Sequence, residues 1–154
     1  MKFRVLLADD HAMFRQALRM ALETASDVEV VGEAANGADV LRLFGESRPD
    51  VVCMDISMPG LNGVEATRQL LALYPEVKVI GLSCYTEPYR VAEMFDAGAL
   101  GYVVKMSAGA DLLPAIRRVS QNQPYLSAEL GIQDIADLAA HARPDHLPLK
   151  QSKK

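Results

Sequence analysis

The stretch Phe3-Arg4-Val5-Leu6-Leu7-Ala8-Asp9-Asp10 is an almost unbroken apolar run that stops on two carboxylates. A strand with one wet face alternates apolar and polar residues, whereas a strand covered on both faces is apolar throughout. Similar runs recur at 28–31, 51–54, 77–82 and 101–104. Between them the apolar residues follow a helical period. Phe14, Ala17, Leu18, Ala21 and Leu22 fall on one face of a first helix. Val40, Leu41 and Phe44 mark a second, stopped by Gly45 and by Pro49 beyond it. Val64, Thr67, Leu70, Leu71 and Tyr74 mark a third, ending before Pro75. Val91, Met94 and Phe95 mark a fourth that ends near Gly98, and Leu112, Ile116 and Val119 a fifth. Strict βα alternation implies right-handed crossovers and an α/β, doubly wound parallel sheet of five strands.

Sheets of this kind bind ligands beyond the carboxyl ends of their strands. The first strand ends in Asp9-Asp10, the third in Met54-Asp55, the fourth in Leu82-Ser83 and the fifth in Val104-Lys105. Alone, an acid pair makes a turn or caps a helix, a lysine is solvated, and a serine says nothing. Four functional side chains on one edge make a site.

Three carboxylates in one crevice repel each other unless a hard cation joins them. Mg²⁺ suits the case, since it takes oxygen ligands, needs only one or two carboxylates and keeps waters for a phosphorylated partner. Asp10 and Asp55 are assigned as direct ligands, Asp9 as direct or through water, and the Ser57 backbone carbonyl as the remaining protein ligand. Lys105 supplies a fixed positive charge and Ser83 a hydroxyl, both suited to the oxygens of a transferred phosphoryl group. Asp55, between metal and lysine, is the expected nucleophile, forming an aspartyl phosphate.

With Asp9-Asp10-His11, Asp55-Ile-Ser-Met-Pro-Gly-Leu-Asn-Gly63, Ser83 and Gly101-Tyr-Val-Val-Lys105, residues 3–121 resemble the receiver domain of a two-component response regulator. The Asp-Asp-His and Gly-Tyr-Val-Val-Lys variants, and Tyr125-Leu126-Ser127 after the last helix, are similar to the NarL/FixJ (LuxR-type) subfamily. The resemblance implies a flavodoxin-like fold with strand order 2-1-3-4-5, and phosphoryl transfer from a histidine kinase to Asp55. It implies that Ser83 and Tyr102 form a switch pair, with the tyrosine swinging inward as the serine moves to the phosphoryl group. It implies no enzyme beyond the chain's own phosphorylation and dephosphorylation. Output would pass through the fourth helix, fifth strand and fifth helix near Tyr102, or through phosphorylation-promoted dimerisation by the first and fifth helices. Met13, Arg15, Arg19, Arg117 and Arg118 make the second surface plausible.

A haloacid-dehalogenase-like phosphatase also sets Asp, Ser, Lys and Mg²⁺ at parallel strand ends. Its nucleophile, however, lies on the first strand in an Asp-x-Asp pattern, and a later strand brings a second acid pair. Here the first strand carries adjacent acids, and nothing acidic follows the fifth strand until Asp111. A degenerate receiver acting as scaffold is disfavoured because every expected position is filled. His11 has no metal-spaced partner and reads as an exposed structural residue. Cys53 reads as a buried thiol, Cys84 as a neighbour of the site, and Met13 and Met20 as packing or partner-facing surface.

The chain has 154 residues, 16 basic and 20 acidic, for a net charge of −4. That length supports a core without disulfide staples, and two cysteines make no disulfide framework. No apolar run approaches the roughly 18 residues of a membrane span, so a cytoplasmic protein is expected. The acidic excess lies within 1–126 and argues against a phosphate-backbone footprint on this part of the chain. We expect a receiver over 1–121, then a C-terminal helix and linker over 122–154. Ser127, Leu130, Ile135, Leu138, Ala139 and Ala142 outline one or two helical turns or a short helix, which Gly131 weakens and Pro144 ends. Members of the subfamily continue into a helix-turn-helix domain that binds DNA. None is present here, so the chain reads as a fragment of a transcription regulator, with a stand-alone regulator as the alternative.

Overall fold

The computed structural model describes residues 2–132 and 135–140. Strands β1 (Phe3–Ala8), β2 (Val28–Ala34), β3 (Val51–Asp55), β4 (Lys78–Ser83) and β5 (Gly101–Val104) alternate with helices. These are α1 (Ala12–Glu23), α2 (Gly37–Ser47), α3 (Gly63–Leu73), α4 (Pro88–Asp96) and α5 (Ala108–Ser120). The strands are parallel and run β2-β1-β3-β4-β5, the flavodoxin-like order. Because alternate strand residues point to opposite faces, each strand feeds two cores. Val51 and Cys53 join Leu18, Leu22, Leu112 and Ile116 under α1 and α5. Val52 and Met54 join Val40, Phe44, Leu70 and Met94 under α2, α3 and α4. Both faces of β3 are thus buried, which is why its sequence does not alternate.

The sheet has six strands, not five. After α5, Asn122 takes a left-handed turn (φ 62°), and β6 (Tyr125–Leu126) pairs parallel with β5. Two residues are too few for any periodicity to register. Of the expected C-terminal helix, the described residues form short 3-10 turns. Ala128–Leu130 and Ile135–Ala140 form 3-10 segments, separated by Gly131 in the left-handed region (φ 69°). Leu130 and Leu138 are nevertheless buried, in the core that holds Tyr102. Ala142, Pro144 and the remaining linker positions lie outside the described residues.

The second helix also runs further than its glycine suggested. Gly45 sits inside α2, and Arg48, in the left-handed region (φ 47°), closes the helix with its N–H on Phe44 O. The guanidinium of Arg48 lies 4.8 Å from the centre of the Tyr74 ring, itself packed at a tilt against Phe44. That packing compensates for a backbone conformation that disfavours side chains with a Cβ.

Candidate functional site

Asp9 follows the last residue of β1, and its N–H bonds Ala34 O of β2, so the sheet continues one residue past the strand. Asp55 is the last residue of β3, and Ile56 extends the pairing by bonding Leu82 O. The loop after Asp55 is held from below by buried Ile56 and Met58. It turns at Gly60 (φ 72°), and Asn62 caps α3 through Oδ1 on Glu65 N at 3.0 Å. Gly63, the first residue of α3, is pressed against the strand end: a Cβ there would lie 2.1 Å from Asp55 O.

Lys105 joins the two strand ends. Its Nζ is 2.7 Å from Asp9 Oδ2 and 3.3 Å from Asp55 Oδ2, with the Phe14 ring 5.0 Å away. Asp9 and Asp55 are 1% and 2% exposed and Lys105 12%, so these three side chains form a buried cluster. The other oxygens have separate partners. Asp9 Oδ1 accepts from His11 N at 2.8 Å, and Asp55 Oδ1 from Ser57 N at 3.1 Å. The two Oδ2 atoms face the lysine ammonium without a well-aligned hydrogen bond. Burial raises the Asp55 carboxyl above the usual range. The Ser57 N–H and Lys105 oppose that rise, and the Asp9 charge adds to it. Burial pulls Lys105 down, but the two carboxylates more than reverse this and leave it raised.

Ligand atoms of Asp9, Asp10, His11 and Asp55 lie within 4.8 Å of one another. Three carboxylates and one imidazole, open on the Asp10 and His11 side, are a donor set for one hard cation. His11 was not foreseen as part of this cluster. Its Nδ1 is 3.3 Å from Asp9 Oδ1 and 3.4 Å from Asp10 Oδ1, while the side chain is 71% exposed. The available signal was its place directly after the acid pair, at the N-cap of α1. Ser57 meets the cluster through its N–H.

Ser83 and Tyr102 stand beside the carboxylates rather than among them. Ser83 ends β4, buried, and its Oγ accepts from Tyr85 N at 2.9 Å. Tyr102 is wholly buried on β5, with its hydroxyl donating to Tyr85 O at 2.9 Å. Burial pushes that phenol up to about 12, opposed by the neighbouring Ser83 hydroxyl. Both residues thus hold the loop after β4. The Arg90 guanidinium braces the same loop, 3.8 Å from the Tyr85 ring centre. Cys84 in this loop is exposed and Cys53 is buried, the latter thiol pushed up to about 12 by burial.

Residues 5–117 match the family model described as the response regulator receiver domain. The transcriptional regulatory protein LiaR of Bacillus subtilis is 39% identical over 145 residues, which cover 94% of this chain and 68% of that protein. The response regulator UvrY of Escherichia coli is 40% identical over 129 residues, 84% of this chain and 59% of that protein. The chain thus spans roughly three-fifths to two-thirds of the length of these relatives. Among solved structures, a LuxR-family two-component response regulator from Aurantimonas superposes with a TM-score of 0.83 at 32% identity, covering 91% of this chain and 99% of that one. The receiver domain of NarL from Mycobacterium tuberculosis gives 0.75 at 32% identity, covering 79% and 98%.

Proposed function

Since the chain belongs to the response regulator receiver family and is a receiver domain of a two-component system, we propose that it works by accepting a phosphoryl group on Asp55. The observation that supports this is the pair of buried Oδ2 atoms, on Asp9 and Asp55, turned toward one lysine. A carboxylate so placed is desolvated and keeps a lone pair unused by the fold. In the transfer a carboxylate oxygen of Asp55 forms a bond to phosphorus, and the bond from phosphorus to the donor breaks. The electron pair stays on the donor, a kinase imidazole or the acetate of acetyl phosphate. Lys105 offsets the charge on the phosphoryl oxygens, and the Ser57 N–H holds the carboxylate in place.

The donor set fits Mg²⁺, with Asp10 and Asp55 as direct ligands, Asp9 direct or through water, the Ser57 carbonyl as a further ligand, and His11 at the rim. Bound there, Mg²⁺ would offset the three carboxylates and draw the phosphoryl oxygens to the site. Ser83 and Tyr102 would be the switch pair: their shared hold on the loop after β4 lets a change at one reach the other.

We further propose a histidine kinase as donor, a cytoplasmic location, and transcription control by the longer protein of which LiaR-type regulators are the example. No described helix is long and apolar enough to cross a membrane. The proposed functional division is a phosphoacceptor over 1–121 and a connecting segment over 122–154, the first part of which is built onto the sheet. Self-association through α1 and α5 stays part of the proposal, but its chemistry shifts. Arg15 and Arg19 are engaged by Glu33, and Arg117 by Asp27, leaving exposed Met13 and Met20 as the contact-prone groups of α1.

The test is intact mass after incubation with acetyl phosphate and Mg²⁺. A single phosphoryl increment that Asp55→Ala abolishes is expected. No increment, or one that survives the substitution, overturns the proposal.

A further inference from the structure

Lys105 is the first residue past β5 and opens a 3-10 turn, Lys105–Ser107, so its position depends on where Val104 is held. On one side β5 is paired to β4 through Val104. On the other, β6 reaches only as far as Tyr102, leaving the buried Val104 N–H without a backbone partner. Ser127 fills this gap. Its Oγ accepts from Val104 N at 3.0 Å and donates to Asp111 Oδ2 at 2.8 Å, while its own N–H donates to Tyr102 O at 3.1 Å. Ser107 Oγ stands 3.0 Å from Asp111 Oδ2 and 3.2 Å from Val104 O, tying the turn after Lys105 to the same carboxylate. Ser127 is wholly buried and its hydroxyl both donates and accepts. One serine thus grips β5 at the tyrosine and at the residue before the lysine, from a segment 22 residues further along the chain.

We propose that Ser127, with Asp111, is a positioning residue for phosphoryl transfer: it fixes the end of β5 so that Lys105 stands over Asp9 and Asp55. The inference deepens the phosphoacceptor reading and rests on it. Removing the hydroxyl leaves a buried N–H unpaired and frees the turn, and groups displaced by about an ångström lose large rate factors. The metal-ligating carboxylates are carried by β1 and β3, which the clamp does not touch. Rate and metal affinity therefore separate.

The experiment follows phosphoryl uptake from acetyl phosphate by intact mass in the wild type, Ser127→Ala, Lys105→Ala and the double variant, alongside Mg²⁺ titrations of each. Ser127→Ala is expected to slow uptake by on the order of tenfold with no loss of Mg²⁺ affinity, and to add nothing in the Lys105→Ala background. Asp111→Ala, which keeps the Ser127 hydroxyl, tests the same clamp should Ser127→Ala fail to fold, and is expected to slow uptake by about threefold. A wild type that takes no phosphoryl group overturns the receiver mechanism and this inference with it. If the wild type is phosphorylated, the inference alone falls on any of three results: the folded clamp variants match it, Mg²⁺ affinity drops with rate, or the Ser127 effect persists without Lys105.

Discussion

Lys105→Met removes the ammonium that lies between Asp9 and Asp55 while keeping an unbranched side chain of similar reach. Both carboxylates are almost fully buried, and their Oδ2 atoms lie 2.7 and 3.3 Å from the ammonium. Breaking a buried ion pair by deleting one partner costs roughly 3–5 kcal/mol. Water reaches this cluster on the Asp10 side, so the lower end applies, about 3 kcal/mol. For a chain of 154 residues that lowers Tm by roughly 6–12 °C. The loss must also depend on pH. Asp55 is already raised by burial, and Lys105 is one of the influences holding it down, so the variant raises it further. A carboxyl raised in the folded state binds its proton where the unfolded chain has lost it. Stability therefore falls as pH climbs from the unfolded value through the folded one. The deficit of Lys105→Met should be largest at about pH 8 and shrink toward about pH 5. Urea unfolding followed by far-UV circular dichroism reads it in metal-free buffer, since the chain has no tryptophan. Added Mg²⁺ should narrow the gap at alkaline pH. A variant as stable as the wild type at about pH 8, or a deficit independent of pH, would refute the electrostatic account of the cluster.

Three further outcomes follow from other parts of the structure. Gly63→Ala puts a Cβ 2.1 Å from Asp55 O, so α3 and the strand end must separate. We expect a loss of about 1–3 kcal/mol in chemical unfolding together with weakened Mg²⁺ binding, and unchanged metal binding would show that Asp55 does not depend on this contact. Glu33 is held below the usual carboxyl range by Arg15, against burial, with help from Arg19. It stabilises the fold above its unfolded value and ceases to as pH falls through the folded one. Glu33→Gln should therefore lower stability at neutral pH but not in acid, and a parallel offset at all pH values would contradict that pairing. Leu138→Ala removes a buried side chain packed in the core behind Tyr102, at an expected cost of about 2–3 kcal/mol. Faster amide exchange in α4 should accompany it; exchange unchanged there would mean the segment is not seated on that core.

The parts of this structure legible from sequence are those written in many residues at once. β1 and β3 declare themselves because Val5 to Ala8 and all of Val51–Asp55 are buried on one face or the other, and α1 because Leu18 and Leu22 repeat at the helical period. The site followed by geometry, since parallel strands deliver their last residues to one edge, and Asp9, Asp55 and Lys105 do converge there. What escaped was written in one or two residues. β6 is two residues long, and its partner strand is not recorded in its composition. His11 joins the acid cluster through the turn it begins, not through any spacing of ligands. Gly45 is accommodated in α2 because Arg48, stacked on Tyr74, ends that helix three residues later. The Ser127–Asp111 contact joins residues 16 apart by one hydroxyl, and no periodicity marks it.

The central claim is that residue 55 itself carries the phosphoryl group. Borohydride reduces an aspartyl phosphate to homoserine, so peptide mapping after acetyl phosphate, Mg²⁺ and borohydride reads the acceptor directly. The account predicts homoserine at position 55, absent when a chelator replaces Mg²⁺. Homoserine at Asp9, Asp10 or elsewhere, or none at all in a protein that has gained a phosphoryl group, would contradict it.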